Sequence, residues 1–229
     1  MDAEEAKRLA ARAALELVPE QGVVGLGTGS TTRFFIDAVG ELVRAGRKLS
    51  GVPTSQKSRE QAASLGIPLL DDAGPWDIDV CVDGADEVSA ALDLIKGGGG
   101  AHTREKIVNY QARVNVIIVD ESKLSEQLGE KRTVPVEVVT FGHRTTAGLL
   151  ERFGKAVLRA SGAKPFVTDS GNYIYDLETG PIAQPAALER ELHELPGVVE
   201  SGLFCARADL VIVAGSAGVR KLERPAELA

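Results

Sequence analysis

The first third of the chain alternates between helical and strand-like hydrophobic patterns. In residues 3–19 apolar side chains such as Leu9, Ala13 and Leu17 recur at helical spacing without an interrupting Gly or Pro, which predicts an amphipathic helix. The elements predicted next are a strand at 23–24, a helix ending near Gly46, a strand at 49–52, a helix at 55–65, and strands at 67–70 and 77–82. This alternation predicts βαβ units and a parallel sheet.

The rest of the chain contains two further patterns. The elements predicted there are a strand at 92–95, a helix at 103–113, strands at 114–119 and 134–139, a helix at 144–160, strands at 165–168 and 173–177 around a turn at 169–172, a helix at 186–194, and strands at 198–204 and 209–214. From residue 131 the order is β-α-β-β-α-β, which is typical of a ferredoxin-like unit, and the last strand returns to the first sheet.

These elements predict an α/β fold with two domains. We expect a Rossmann-like, largely parallel sheet flanked by helices in residues 1–130 plus 205–229. A smaller ferredoxin-like α+β domain is expected as an insertion at 131–204.

Composition and charge exclude several classes of protein. The formal net charge is −7, which argues against a nucleic-acid surface and a polybasic membrane patch, so any anion site must be organised locally. No apolar run reaches the ~18 residues of a membrane span, and the acidic start is not a signal peptide. Cys81 and Cys205 form no CxxC motif, so we expect buried thiols in a reducing compartment. His102, His143 and His193 lack zinc-site spacing, and we therefore expect a metal-free cytoplasmic protein.

The segment GLGTGST (25–31) follows a predicted strand and leads into a helix. Its glycines permit a sharp turn, and the free N–H groups at a helix start can bind an anion together with the hydroxyls of Thr28, Ser30 and Thr31. The Rossmann fingerprint fails because Ser30 and Thr32 stand where its last glycine is needed, and no Walker A lysine is present. A small phosphomonoester fits better than a dinucleotide; a capped turn without ligand is the alternative.

Two more segments carry candidate chemistry. DGADE (83–87) places acids after a strand, where crowded carboxylates can divide acid and base roles; metal ligation, a plain acidic turn, and Glu87 starting a helix remain alternatives. In KGGGGAHTREK (96–106) four glycines suit a backbone that lies against a ligand, with Lys96 as a positive donor. Thr103 can cap the next helix and place Glu105 in its first turn, where a helix-dipole role is the alternative.

Lys123 lies in the loop after the predicted strand 114–119, where an exposed loop lysine is the alternative interpretation. The ends of three parallel strands, after Val24, Val82 and Val119, are expected at one edge of the sheet. That edge would bring the glycine loop, the acids and Lys123 together.

Taken together, these segments resemble the type A ribose-5-phosphate isomerase family. The matching segments, in family order, are GLGTGST, DGADE, KGGGGAHTREK, DESK (120–123), TDSGNYIYD (168–176), LPGVVESGLF (195–204) and ADLVIVAG (208–215). The family usually has an apolar residue at His102 and alanine at Gly100, which are not catalytic positions. We expect His102 to have no role in binding or catalysis.

The resemblance implies interconversion of ribose 5-phosphate and ribulose 5-phosphate in the non-oxidative pentose phosphate pathway, through an enediolate and without metal or organic cofactor. It implies that Glu105 is the base moving a proton between carbons 2 and 1, and that one aspartate helps to open the furanose ring. Around the reacting oxygens it implies Asp83, Asp86 and Lys96. For substrate contacts, chiefly to the phosphate, it implies Thr28, Gly29, Ser30, Thr31, Gly84, Ala85, Gly97, Gly98, Gly99, Lys123 and, more weakly, Lys7. A homodimer or homotetramer is also implied, with the smaller domain used in assembly.

Two other function classes remain open from the residues themselves. An acyl-CoA transferase or sugar-phosphate deaminase would share the glycine-rich strand–helix turn, but 229 residues leave little room for a CoA-binding half. A non-catalytic sugar-phosphate sensor usually accompanies a DNA-binding segment, and the sequence offers none. The presence of Asp83, Asp86, Lys96 and Glu105 together favours the enzyme.

Overall fold

The computed structural model describes residues 2–224, which divide into two compact units. The first unit comprises 2–85, 104–123 and 207–224, and the second comprises 86–103 and 124–206. Three stretches predicted to lie in the larger domain are found in the second unit instead: 86–103, 124–130 and 205–206. They belong to the second unit because Glu87–Val88 and Leu94–Ile95 pair antiparallel with each other, and the latter pairs with Leu203–Phe204.

A six-stranded sheet forms the first unit. Its strands are β1 (Gln21–Leu26), β2 (Lys48–Pro53), β3 (Val80–Asp83), β6 (Asn115–Asp120), β14 (Leu210–Gly215) and β15 (Gly218–Glu223). Their order is β15-β14-β6-β3-β1-β2, and every pair is parallel except β14 with β15. The predicted parallel sheet is therefore confirmed, including the return of β14, whereas the exposed, mostly polar β15 lacked an apolar run that would predict it.

Helices flank this sheet, as predicted. They are α1 (Ala3–Ala14), α2 (Thr32–Arg44), α3 (Gln56–Ser64) and α4 (His102–Gln111), whose residues from Arg104 onwards belong to the first unit. Helix α1 begins at Asp2, whose carboxylate accepts a 2.8 Å hydrogen bond from the Glu5 amide and so caps the first turn. Its small apolar side chains pack against β6 and β14, which places the main core between helix and sheet.

The second unit contains the predicted ferredoxin-like arrangement. Its elements are β7 (Val134–Val138), α5 (His143–Leu150), β8 (Lys155–Leu158), β11 (Tyr173–Glu178), α6 (Pro185–His193) and β12 (Val198–Ser201). The sheet order is β12-β7-β11-β8 with antiparallel neighbours, which confirms the β-α-β-β-α-β prediction. The remaining strands are β4 (Glu87–Val88), β5 (Leu94–Ile95) and β13 (Leu203–Phe204), which form a small sheet, and the hairpin β9 (Ala160–Ser161) and β10 (Lys164–Pro165).

Several predicted elements have different bounds. The helix at 144–160 is wrong beyond Leu150, because residues 155–158 pair with β11 as a strand. The strand at 198–204 is broken at Gly202, whose amide donates to Pro135 and whose carbonyl accepts from Lys96, so the chain changes sheets there. The strand at 67–70 is reduced to one bridge between Leu69 and Gly51, and 166–168 is not a strand.

Cys81 and Cys205 do not form a disulfide bond. Cys81 is buried as predicted, but Cys205 is only half-buried. Within residues 2–224, none of the helices is both long and apolar enough to cross a membrane.

Candidate active site

The carboxyl ends of three adjacent strands carry the predicted loops of the first unit. Leu26 is paired with Val82, and Val82 with Val116, so β1, β3 and β6 run side by side in the same direction, and β6 extends beyond the end of β3 to Asp120. The loop after β1 carries the glycines, β3 ends at Asp83, and the turn Glu121–Lys123 follows β6. The predicted common sheet edge is thus confirmed for these strands.

Asp83 and the glycine-rich loop are in direct contact. The Oδ1 atom of Asp83 accepts hydrogen bonds from the amides of Thr28 (3.0 Å) and Gly84 (2.7 Å). A β-carbon at Gly27 would lie 2.2 Å from the same oxygen, so only glycine permits this approach. The glycine therefore holds the loop against the carboxylate, and Asp83 is buried there.

Thr28 is held by hydroxyl groups that the sequence analysis did not identify. Its Oγ1 lies 2.8 Å from Thr54 Oγ1, 2.7 Å from Ser55 Oγ and 3.1 Å from Ser58 Oγ. Ser58 also donates to the Gly27 carbonyl at 2.6 Å. Each hydroxyl has one proton, and Thr28 donates its own to Ser55. Thr28 can therefore bond to Thr54 only as the acceptor, and its 3.1 Å approach to Ser58 is a contact, because Ser58 donates to the Gly27 carbonyl. The hydroxyl of Thr28 is thereby directed into the protein. A signal existed in the run TSQKS (54–58), where Ser55 caps α3.

The next residues of this loop have a different setting. Gly29 and Ser30 are exposed, and Thr31 is the N-cap residue of α2, although its side chain makes no cap hydrogen bond to that helix. Gly29 has φ of +132°, a conformation that favours glycine. These residues lie at the start of α2, where the sequence predicts an anion site.

Glu105 lies in the first turn of α4, as predicted, and is 4% exposed. Val108, three residues later on the same helix face, packs with Ile78 and Cys81 in a buried cluster on the sheet. This anchoring sets the rotation of the helix, so that the carboxylate of Glu105 is on the buried face. The predicted cap is wrong: α4 begins at His102, and the Thr103 hydroxyl donates to Glu137 Oε2 at 2.6 Å.

The two predicted lysines of the first unit are placed by their elements. Lys123 ends the turn after β6 and is half-buried, while Lys7 lies half-buried on α1. The hydrogen bonds described above connect Asp83, Gly84 and the 27–31 loop, and they involve neither lysine.

In the second unit Asp86 is in contact with the glycine run. Its Oδ2 accepts a 2.7 Å hydrogen bond from the Gly98 amide, and a β-carbon at Gly98 would lie 2.7 Å from Oδ1. The first segment of the first unit ends at Ala85, so the DGADE segment is divided between the units. Glu87 does not start a helix: it lies in β4 and accepts from the amides of Gly129 and Lys131.

The glycine run is a tight turn in its own right. Gly97 and Gly100 have φ of +102° and +79°, and Gly100 donates to the Gly97 carbonyl at 2.9 Å. Folding alone thus accounts for Gly97, Gly98 and Gly100, without the ligand that the sequence analysis invoked. Gly99 is exposed on this turn.

Lys96 and His102 flank this run and are both buried. The Lys96 Nζ lies 5.5 Å from the centroid of the Phe204 ring, within the range of a cation–π contact. His102 is fully buried, and its ring packs so closely against Gly97 that a β-carbon there would lie 2.6 Å from Nδ1.

One group of side chains in residues 2–224 could hold a metal ion. Glu189, His193 and Glu200 place their donor atoms within 4.8 Å of one another, and His193 Nε2 lies 2.6 Å from Glu200 Oε1. Glu189 and His193 are one turn apart on α6. The sequence does not reveal this pair when only the spacing of the histidines is considered. The group contains none of the predicted site residues.

One tyrosine in the second unit has a shifted pKa. Burial raises the pKa of the Tyr175 hydroxyl above its ordinary value of 10.0, and the Arg144 charge acts in the opposite direction. The hydroxyl lies 2.8 Å from His143 Nδ1.

Comparison with known proteins decides the family. The model of the family "Ribose 5-phosphate isomerase A (phosphoriboisomerase A)" matches residues 50–218. The ribose-5-phosphate isomerase A of Gloeobacter violaceus is 50% identical over 224 residues, covering 97% of each chain. That of Thermococcus kodakarensis is 45% identical, covering 98% of this chain and all of the other. The chain belongs to the ribose 5-phosphate isomerase A family. Its members are aldose–ketose isomerases that act on ribose 5-phosphate.

Solved structures of the family have the same fold. A D-ribose-5-phosphate isomerase in complex with phospho-erythronic acid superimposes with a TM-score of 0.94 at 43% identity, covering 98% of this chain and 100% of the other. The ribose 5-phosphate isomerase A of Methanocaldococcus jannaschii gives a TM-score of 0.91 at 42% identity, covering 96% and 99%. The Rossmann-like and ferredoxin-like parts of this chain are therefore those of the ribose 5-phosphate isomerase A fold.

Proposed function

We propose that this chain interconverts ribose 5-phosphate and ribulose 5-phosphate through an enediolate, with Glu105 as the general base. The observation that carries this mechanism is the buried carboxylate of Glu105 in a chain of this family. Isomerisation beside a carbonyl requires a base that removes a proton from carbon 2 and returns it to carbon 1. A carboxylate anchored on one helix face can serve both carbons without a second base.

Asp83, Asp86 and Lys96 are proposed to act on the reacting oxygens. The ammonium of Lys96 stabilises the negative charge of the enediolate, and one of the aspartates transfers the proton that opens the furanose ring. The supporting observation is that both carboxylates are fixed by backbone amides, Asp83 by Thr28 and Gly84, and Asp86 by Gly98. Fixed groups need no rearrangement when charge develops on the substrate.

The main chain and hydroxyls supply the remaining substrate contacts in this proposal. The phosphate is bound by the 29–31 loop at the start of α2 and by Lys123, with Lys7 as a weaker contributor. Thr28 shapes that loop, because its hydroxyl and amide are hydrogen-bonded to the protein. The remaining proposed substrate contacts come from the main chain of five residues: Gly84, Ala85, Gly97, Gly98 and Gly99.

The test is incubation of the chain with ribose 5-phosphate in D2O containing EDTA, followed by NMR. Ribulose 5-phosphate carrying solvent deuterium at carbon 1 is expected, because an enediolate base exchanges its proton with water. Binding without conversion would indicate a sugar-phosphate sensor. Conversion that never incorporates deuterium would indicate hydride transfer and contradict the enediolate. Conversion that stops in EDTA would contradict the proposed metal-free reaction.

We also propose a cytoplasmic homodimer or homotetramer assembled through the second unit. The supporting observations are that Cys81 and Cys205 form no disulfide bond and that the side chain of Phe141 is 93% exposed in the single chain. Light scattering after size-exclusion chromatography measures the oligomer. A monomer at all concentrations would refute the assembly.

A further inference from the structure

The peptide between Gly97 and Gly98 is hydrogen-bonded on both edges. Its carbonyl oxygen, on Gly97, accepts a 2.8 Å hydrogen bond from Nη1 of Arg159. Its amide, on Gly98, donates a 2.7 Å hydrogen bond to Oδ2 of Asp86. Because a trans peptide is planar, its C=O and N–H point in opposite directions and rotate together. Fixing the carbonyl therefore fixes the direction of the N–H that holds Asp86.

Arg159 is itself held in one orientation. Its Nε and Nη2 atoms donate to the two carboxylate oxygens of Asp176, at 2.9 and 2.5 Å, in a bidentate pair. The backbone amide of Arg159 donates to Ile174 at 2.8 Å, which ties the residue to β11. The two side chains are 16% and 26% exposed, so this pair is shielded more than a typical surface ion pair.

The pair reaches two successive peptides of the turn. Besides the Gly97 carbonyl, Nη1 of Arg159 lies 3.3 Å from the Gly98 carbonyl, which belongs to the peptide carrying the Gly99 amide. A planar guanidinium can direct separate N–H groups at a carboxylate and at a turn simultaneously, whereas an ammonium cannot reproduce that fork.

We propose that Arg159, fixed by Asp176, is a positioning residue that orients Asp86 through the Gly97–Gly98 peptide. This inference rests on the proposed function, in which Asp86 acts on the reacting oxygens. It gives the ferredoxin-like sheet a part in catalysis besides assembly. The guanidinium also polarises the peptide, which strengthens the hydrogen bond that its N–H donates to Asp86.

The first experiment compares steady-state kinetics of Arg159→Met, Arg159→Lys and Asp176→Asn with ribose 5-phosphate. We expect kcat to fall about 10- to 100-fold in Arg159→Met, less than the roughly 100- to 1,000-fold loss on removing a preorganised donor itself, because Arg159 acts through the peptide, with KM within about twofold of wild type. The kcat of Arg159→Lys is expected to be nearly as low as that of Arg159→Met. The kcat of Asp176→Asn is expected to lie between those of Arg159→Met and wild type.

A matched control lies on the same pair of strands. Lys155 forms a 3.3 Å ion pair with Glu178 between β8 and β11, but these side chains are 71% and 50% exposed. Lys155→Met removes a comparable charge without touching the turn, so its kcat is expected to remain at the wild-type value. An equal loss in Lys155→Met and Arg159→Met would overturn the proposal.

A double-mutant cycle tests the route through Asp86. If Arg159 acts by orienting Asp86, then Arg159→Met lowers kcat in the wild-type background but has little further effect on Asp86→Asn. Losses that multiply across the two positions would show independent action and contradict the positioning role.

Hydrogen exchange separates this inference from the proposed function. Amides of residues 97–100 are expected to exchange faster in Arg159→Met and Asp176→Asn than in wild type or Lys155→Met, with no substrate present. Unchanged exchange in both variants refutes the positioning role. If wild type fails to convert ribose 5-phosphate, the proposed function fails, and the catalytic inference fails with it, whereas the exchange result still reports on the Arg159 contact.

Discussion

Replacing Thr28 with valine tests whether its hydroxyl serves the protein or the substrate. Valine keeps the shape of threonine but removes Oγ1, which lies within 3.1 Å of the hydroxyls of Thr54, Ser55 and Ser58. These three side chains are buried, so water cannot take the place of the lost group.

The cost follows from what the remaining hydroxyls retain. Ser55 still donates to Ser58 at 3.1 Å, Ser58 to the Gly27 carbonyl at 2.6 Å, and Thr54 to the Leu26 carbonyl at 3.2 Å. No hydroxyl of the cluster is then left without a bond. Two hydrogen bonds of Thr28 are lost, those with Ser55 and Thr54. At about 0.5–1.5 kcal/mol per hydrogen bond, we therefore expect a loss of about 1–3 kcal/mol in the free energy of unfolding. For a chain of this size, that lowers Tm by about 2–10 °C.

Thermal melting and steady-state kinetics with ribose 5-phosphate measure the two consequences. Thr28→Val is expected to lower Tm and raise KM, because the 27–31 loop loses its anchor. Ser30→Ala is the matched control, since this exposed hydroxyl in the same loop is expected to affect KM without lowering Tm. If Thr28→Val has the Tm of the wild type but a raised KM, the structural role is refuted. The Thr28 hydroxyl would then bind the substrate phosphate.

Three further substitutions test the proposed roles. Glu105→Gln is expected to abolish turnover, while calorimetry still detects binding of ribose 5-phosphate. A kcat near the wild-type value would show that Glu105 is not the base. Lys123→Ala is expected mainly to raise KM, and an unchanged KM would exclude it from phosphate binding. Gly27→Ala places a β-carbon 2.2 Å from Asp83 Oδ1, so Tm and kcat are both expected to fall, and wild-type values would contradict the close approach.

The sequence predicted the first unit well because its elements have strong, local patterns. The strand at β6 is a continuous apolar run, which is typical of a strand buried on both faces in a parallel sheet. The common edge at which Asp83 and the 27–31 loop meet followed from the rule that parallel strands end together. What local patterns could not supply was the direction of side chains, such as the Thr28 hydroxyl turning toward Ser55.

The positioning role of Arg159 was hidden by an error in secondary structure. Residues 155–158 fit a continuation of the preceding helix, so the prediction extended that helix to residue 160. Pairing with β11 overrides the local pattern, and it also brings Arg159 to Asp176. The local sequence around Arg159 does not predict this contact, because its partner lies on a strand that is distant in the sequence. For the same reason, the sequence does not show the structural requirement for two of the glycines, since β-carbons at Gly97 and Gly98 would meet His102 and Asp86.

The net charge of −7 constrains how a sugar phosphate is recognised. At long range such a surplus repels an anion, so affinity has to come from groups that act at hydrogen-bond distance. Part of the surplus lies inside the protein, where Asp83 and Glu105 are buried, and the Asp83 carboxylate accepts hydrogen bonds from two backbone amides. The same backbone that neutralises Asp83 fixes the loop proposed to bind the phosphate. Asp83 and the proposed phosphate loop thus belong to one hydrogen-bonded structure, so the proposed function needs no surplus of positive charge to bind an anionic substrate.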